Sequence, residues 1–298
     1  MPGVNGSSLY VEQSGSSSAP PIVLVHGWAM DSTIWFYAKR DLARSFHVWS
    51  WDLPGMGKST PASPSAIGLT EFAQDLRTVI ALAGPRKVVL VGHSIGGMTI
   101  QTLARDDPAF FNAHVAGTVL VNTTFTNPLK TMILSGIAQA IRWPLLEPLM
   151  RLGILLQPLV WLSAWQSYLS GTAHLANRIG FGKYVTRSQL EHTTLLSTRN
   201  SPGNIDRGNL AMFRWDASGA MAAITSPLLV LAGEMDVVTK PGAGSVIAGH
   251  HPRATFSSVE GANHMGFLER PDVYNGAIAA FASAAHAELA PFAGRTTV

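Results

Sequence analysis

A chain of 298 residues with 47% hydrophobic and 13% charged side chains can bury a full core and is too apolar to be disordered or fibrous. Twenty-one basic against eighteen acidic groups leave a net charge of +3, too small to point to nucleic acid as a partner. The absence of cysteine removes disulfides, thiolate chemistry and cysteine zinc sites.

Residues 1–21 contain neither a basic n-region nor an apolar h-region, so no secretory leader is expected and a cytoplasmic location is the default. A short strand is predicted at 9–11, followed by the turn-rich connector SGSSSAPP at 14–21. The apolar run at 22–25 stops at His26-Gly27, as a buried strand does. A helix over 33–43 and a strand over 47–51 come next. In the helix predicted at 70–82, Phe72, Leu76, Val79, Ile80 and Ala83 recur at helical spacing behind Thr70 as a possible cap. A strand at 87–91 runs into Gly92-His93-Ser94, and a helix at 96–105 and a strand at 117–121 follow. Helix and strand alternate again late in the chain, with strands at 227–232 and 254–259 and helices at 243–249 and 271–287. No internal repeat is present. Alternation of helices with near-uniformly apolar strands argues for a parallel sheet covered on both faces.

Residues 126–214 break this rhythm. They carry apolar helical segments punctuated by Pro128, Pro144, Pro148 and Pro158, and no clear strand. We read them as a helical cap inserted into a core formed by 1–125 and 215–298. The stretch 152–177 has no charged residue, but Gln157, Pro158, Ser163 and Gln166 interrupt it. A stable membrane span is therefore not expected, although transient contact with a membrane interface is compatible with so greasy a cap.

The chemistry centres on Gly92-His93-Ser94-Ile95-Gly96, a G-x-S-x-G sequence between a predicted strand and a predicted helix. A serine there sits on a tight turn, and the flanking glycines remove Cβ clashes. The following helix aims its first N–H groups at the site and favours negative charge. A serine hydroxyl needs a base, and the base an orienting carboxylate. The strand at 227–232 exits into Gly233-Glu234-Met235-Asp236, and the strand at 254–259 into a glycine-flanked loop ending at His264. Asp236 is favoured as the acid because it projects further past the strand end than Glu234. His264 is favoured as the base because it stands third in the order Ser…Asp…His. His250 and His251, at a helix end, read as capping groups. The backbone N–H groups of Trp28 and Ile95 are the candidate oxyanion hole. His26, Gly27, His93, Trp161, Trp165 and Met265 are expected along the substrate. The Asp52–Ser59 loop is read as structural, its Gly and Pro setting the turns.

On these motifs the chain resembles the α/β-hydrolase superfamily, in its cap-bearing branch of serine esterases and lipase-like enzymes. The resemblance implies an eight-stranded, mostly parallel sheet flanked by helices, with the cap inserted after the sixth strand. It also implies Ser94 as nucleophile, His264 as base and Asp236 as its partner, with no metal or cofactor. Related haloalkane dehalogenases and epoxide hydrolases carry aspartate where this chain has Ser94, which argues against alkyl-enzyme chemistry. The expected substrate is a small molecule, an apolar and medium-sized acyl or aryl ester. A C–C bond hydrolase or lactonase is the alternative within enzymes, with Arg142, Arg151, Arg178, Arg187, His174 or His192 available to a substrate carboxylate. A slow-turnover ligand sensor is the alternative outside them.

Overall fold

The computed structural model describes residues 1–289. Seven strands form one sheet: β1 (Val11–Ser14), β2 (Pro21–Val25), β3 (His47–Trp51), β4 (Val88–His93), β5 (Val115–Val121), β6 (Leu228–Gly233) and β7 (Ala254–Val259). Their order is β1-β3-β2-β4-β5-β6-β7. Only β1 runs antiparallel to its neighbour, pairing Val11 with Trp51; the other pairings are parallel.

The sheet's first structural helix, α1 (Phe36–Leu42), is preceded by a 3-10 turn, Ser32–Trp35, which takes up the start of the predicted 33–43 helix. The helices α2 (Leu69–Leu82), α3 (Ile95–Asp106) and α4 (Pro108–His114) follow. Helix α2 starts one residue before Thr70, with Gly68 at its N-cap and no side-chain cap. The chain closes with α12 (Pro241–Gly249), α13 (Gly266–Glu269) and α14 (Pro271–Ala287).

Every residue of β2 to β6 is buried. Because successive side chains alternate across a strand, one apolar run supplies both layers. Val23, Val25, Val88 and Leu90 pack with Phe72 and Leu76 of α2, Met98 and Leu103 of α3 and Ile247 of α12. Ile22, Leu24, Val89 and Val91 pack on the other side with Leu42 of α1 and Tyr274 and Ile278 of α14.

Seven strands, not eight, are formed by the described residues. The segment ahead of β1 makes only isolated bridges, Pro2 with Ser8 and Ser8 with Thr60. Its polar groups are taken instead by Asp75 of α2, which accepts from the Val4 N–H at 2.7 Å and the Ser7 hydroxyl at 3.1 Å. The strand expected at 9–11 accordingly begins at Val11, while Leu9 is buried in the core.

Between β5 and β6 the chain is helical: α5 (Pro128–Thr131), α6 (Ser135–Ile141), α7 (Glu147–Leu155), α8 (Gln157–Leu169), α9 (Thr172–Arg178), α10 (Arg187–Arg199) and α11 (Pro202–Met212). This interval follows the fifth of the seven strands rather than the sixth of eight. Its ends meet in a bridge between Thr126 and Asp216, reinforced by a Thr126 hydroxyl bond to the Asp216 carboxylate at 2.6 Å. Of the core portion expected at 215–298, residues 290–298 lie outside the described residues.

Candidate active site

Since β2 and β4 to β7 are parallel, their C-terminal ends share one edge of the sheet, where α/β folds gather their functional loops. Trp28, Ser94, Asn122, Asp236 and His264 lie just past the ends of β2, β4, β5, β6 and β7.

Ser94 is the N-cap of α3, with φ +51° and ψ −119°. A non-glycine residue is uncommon at positive φ, and the strain is tolerated only where neighbours hold it. The Ser94 N–H donates to the Val121 carbonyl at 3.0 Å, and its carbonyl accepts from the Thr123 hydroxyl at 2.7 Å. Glycines make the turn possible. A Cβ on Gly92 would lie 2.6 Å from the Gly96 carbonyl carbon, and one on Gly96 would strike the Val25 carbonyl oxygen.

His264 Nδ1 lies 3.0 Å from Asp236 Oδ2. A carboxylate only accepts, so Nδ1 is the donor, which in the neutral ring leaves Nε2 its lone pair. The buried Asp236 carboxylate is held by three further donors. The N–H groups of Val238 and Thr239 reach Oδ1 at 2.8 Å each, and the Thr239 hydroxyl reaches Oδ2 at 2.8 Å. Glu234, the alternative acid, instead accepts from the Gly261 N–H at 3.0 Å across the neighbouring turn.

Ser94 and His264 line one cavity of about 450 Å³ together with Trp28, His93, Met265 and residues from α5, α9, α10 and α11. Five of its lining residues are methionines: Met30, Met98, Met132, Met212 and Met265. No Lys, Arg, Asp or Glu lines it among the described residues; besides Ser94, His93 and His264, its polar points are Asn177, Asn209, Thr193 and Thr239. The backbone N–H groups of Trp28 and Ile95 have no hydrogen-bond acceptor among the described residues. The Trp28 indole itself is pinned against α11. Its Nε1 donates to the Ile205 carbonyl at 3.1 Å, and its ring lies where a Cβ on Gly208 of α11 would be.

The substrate-facing expectations divide. His93 and Met265 line the cavity. His93 is buried, and its Nε2 donates to the His264 carbonyl at 3.0 Å while Nδ1 has no partner. Burial, reinforced by the nearby His264, holds its imidazole well below the usual histidine range and so neutral. His26 and Gly27 do not line the cavity. His26 is fully buried, bonds through Nδ1 to the Gly27 carbonyl at 2.7 Å, and accepts the Leu53 N–H at 2.9 Å on Nε2. It thereby ties the end of β2 to the loop after β3. Gly27 backs the His93 ring, leaving no room there for a side chain.

Trp161 and Trp165 are also absent from the cavity. The Trp161 Nε1 donates to the Thr198 carbonyl at 3.0 Å, and Trp165 is exposed on α8. Helix α8 is one layer removed, because α9, α10 and α11 supply the cavity wall. None of the six charged or histidine side chains considered for a substrate carboxylate lines the cavity. Arg142 and Arg151 pair with Glu147, Arg178 donates to the Phe181 carbonyl, His174 pairs with Glu191, and His192 meets the Thr33 hydroxyl. Arg187 is exposed at the start of α10.

Two residues at this edge were not singled out from sequence. Thr239 is one. The other is buried Asn122, at φ +44°, whose Nδ2 donates to the carbonyls of Asn263 at 2.8 Å and His264 at 2.7 Å. Its Oδ1 accepts from the Gly233 N–H at 2.8 Å. One amide therefore joins the ends of β5 and β6 to the histidine loop. The only sequence signal was position, a polar residue directly after a buried strand on the edge that carries Ser94.

Residues 20–271 match the family described as alpha/beta hydrolase fold. The chain belongs to this family. It is similar to the pimeloyl-(acyl-carrier protein) methyl ester esterase of Nitrosospira multiformis, with 26% identity over 286 residues, covering 92% of this chain and 98% of the relative. Among solved structures it resembles the esterase EaEST from Exiguobacterium antarcticum at TM-score 0.75 and 21% identity, covering 95% of this chain and all of that one. A thermophilic esterase from Thermogutta terrifontis matches at TM-score 0.71 and 23% identity over 95% of this chain and 96% of that one. At these identities the structural likeness speaks for the fold.

Proposed function

We propose that the protein is a carboxylic ester hydrolase in which Ser94 is the nucleophile, His264 the general base and Asp236 its orienting partner. The observation that carries this reading is the Asp236–His264 contact at 3.0 Å, with imidazole and serine on one cavity at the N-terminus of α3. Similarity to methyl ester esterases over nearly the whole chain supports it.

In this mechanism the Ser94 Oγ attacks the ester carbonyl carbon while His264 Nε2 takes its proton. Asp236 stabilises the imidazolium and holds the ring's orientation. The N–H groups of Trp28 and Ile95 receive the oxyanion, aided by the α3 dipole. His264 then gives its proton to the leaving alcohol. Water, deprotonated by the same imidazole, releases the acid and restores Ser94.

The substrate is an uncharged, apolar acyl or aryl ester. A methionine-rich wall adapts to irregular apolar shapes, and a cavity without cationic side chains offers no ion pair to a substrate carboxylate. That absence disfavours the C–C hydrolase reading, which requires such a partner. The helices of residues 126–214 serve as a lid, since α9, α10 and α11 cover the nucleophile.

The test is a p-nitrophenyl ester chain-length series on the wild type and Ser94→Ala, with a fluorophosphonate label located by mass. Turnover on short and medium chains that falls by roughly a thousandfold or more in Ser94→Ala, with the label on Ser94, is expected. Turnover retained in that variant would refute the assignment.

A further inference from the structure

The helices between β5 and β6 turn an apolar face outward. Leu149, Leu152 and Leu155 of α7 and Leu159, Leu162 and Leu169 of α8 are each 48–76% exposed. Within each helix they recur three or seven residues apart, so α7 and α8 each present a leucine face to solvent. Trp143 and Trp165 are exposed beside it, and the Arg142 guanidinium lies 4.6 Å from the Trp143 ring centroid. Ordinary monomers rarely expose so large a contiguous apolar face without a partner for it.

Charge selects the partner. Residues 126–186 carry Lys130, Arg142, Arg151, Arg178 and Lys183 against a single carboxylate, Glu147. Glu147 is buried and shared among Arg142, Arg151 and Arg214, so it presents no negative charge outward. The neighbouring Glu191 of α10 is engaged by Tyr168 and His174. Arg151, its side chain 65% exposed, stands between Leu149 and Leu152 in sequence. We infer that this face is a docking surface for an anionic lipid bilayer, with leucines and tryptophans entering the interface and the cations meeting headgroups.

A second copy of the chain fits poorly. A two-fold interface brings the same patch against itself, so its exposed cations would face like charge; the nearby carboxylates are Glu191, held by Tyr168 and His174, and the half-buried Asp206 of α11, packed against Gly153 of α7. Spanning is not the mode either. No single helix among the described residues is long and apolar enough to cross a membrane, and the Ser135–Leu155 and Gln157–Leu169 segments meet at 101°. Helix α8, at 13 residues, is about 20 Å long, against a hydrocarbon core of about 30 Å. Leucine and tryptophan on one side with Lys and Arg nearby is the composition of segments lying in the interface plane.

Exposed apolar residues also stand at the cavity rim. Exposed Ile179 lines the cavity, and exposed Ile133 and Leu134 follow the cavity residue Met132. Esters dissolved in the lipid would thus enter without crossing bulk water, a consequence that rests on the esterase reading.

The experiment is flotation of the full chain with phosphatidylcholine vesicles and with vesicles that also contain phosphatidylglycerol, at low and high salt. Each sample is assayed in parallel for hydrolysis of soluble p-nitrophenyl butyrate. Binding to the phosphatidylglycerol vesicles that weakens with salt is expected. The double variant Leu155→Asp, Leu162→Asp should lower it by about tenfold or more, and Arg151→Gln by a smaller factor, with soluble-ester turnover unchanged. Absent binding, equal binding to both vesicle types, or a dimer that the leucine substitutions dissociate would each overturn the inference. Vesicle binding without ester turnover would leave it standing and refute the esterase instead.

Discussion

Replacing Asn122 isolates how the histidine loop is held. Its amide makes three short hydrogen bonds, to Asn263, His264 and Gly233, in a site with almost no solvent access. Asn122→Ala removes all three and strands the Gly233 N–H. The His264 carbonyl keeps its bond from His93. At about 1 kcal/mol net per bond, with a further penalty of about 1–3 kcal/mol for the orphaned donor, the loss is about 4–6 kcal/mol. Alanine also inherits the positive φ of +44°, which adds about 1 kcal/mol that asparagine tolerates and glycine avoids. Asn122→Gly should therefore be destabilised by about 1 kcal/mol less than Asn122→Ala. Urea unfolding of the three proteins measures this directly, and thermal scans should show a drop on the order of 10 °C for alanine. Asn122 does not line the cavity, so KM for a soluble ester should hold while kcat falls on the order of tenfold as the base loop loosens. If both variants unfold within about 1 kcal/mol of wild type, the amide is not the tie we describe.

Two further outcomes follow from the same edge of the sheet. Thr239→Val deletes one donor to Asp236 Oδ2 while keeping the backbone N–H to Oδ1; kcat should fall about fivefold, Thr239→Ser should restore it, and equal loss in both variants would contradict a hydrogen-bonding contribution. His93 is buried and held neutral, whereas in the unfolded chain an imidazole takes a proton below about pH 6.5. The unfolded state then binds more protons, so stability is fully present above that pH and declines as pH falls toward the folded value. The urea midpoint of the wild type should drop between about pH 7 and pH 5, and His93→Gln should flatten that slope; parallel slopes would refute it.

Local physics made much of this protein readable in advance. The runs at 22–25 and 88–91 are apolar without alternation, as a strand buried on both faces requires, and they lie in β2 and β4. The tight turn at Ser94 was legible because Gly92 and Gly96 are dictated by their own clashes. Asp236 and His264 could be picked because each is the polar residue that a loop carries off a strand end, and parallel strands deliver such loops to one edge.

Other features depend on contacts between segments distant in sequence, and only the tertiary structure decided them. His26 looked like a substrate contact but closes a bond to Leu53, and Trp161 bonds to Thr198 a layer away from the cavity. No local pattern distinguishes a tryptophan that packs helix on helix from one that walls a pocket. The N-terminal segment is another case: it folds on itself in a 3-10 turn at Val4–Gly6, and Asp75, some seventy residues on, accepts from the Val4 N–H and the Ser7 hydroxyl. The amide of Asn122 acquires its importance from three loops that are far apart in the chain. Periodicity and turn chemistry act within a few residues, whereas the pairing of buried polar groups is settled by which segments the fold brings together.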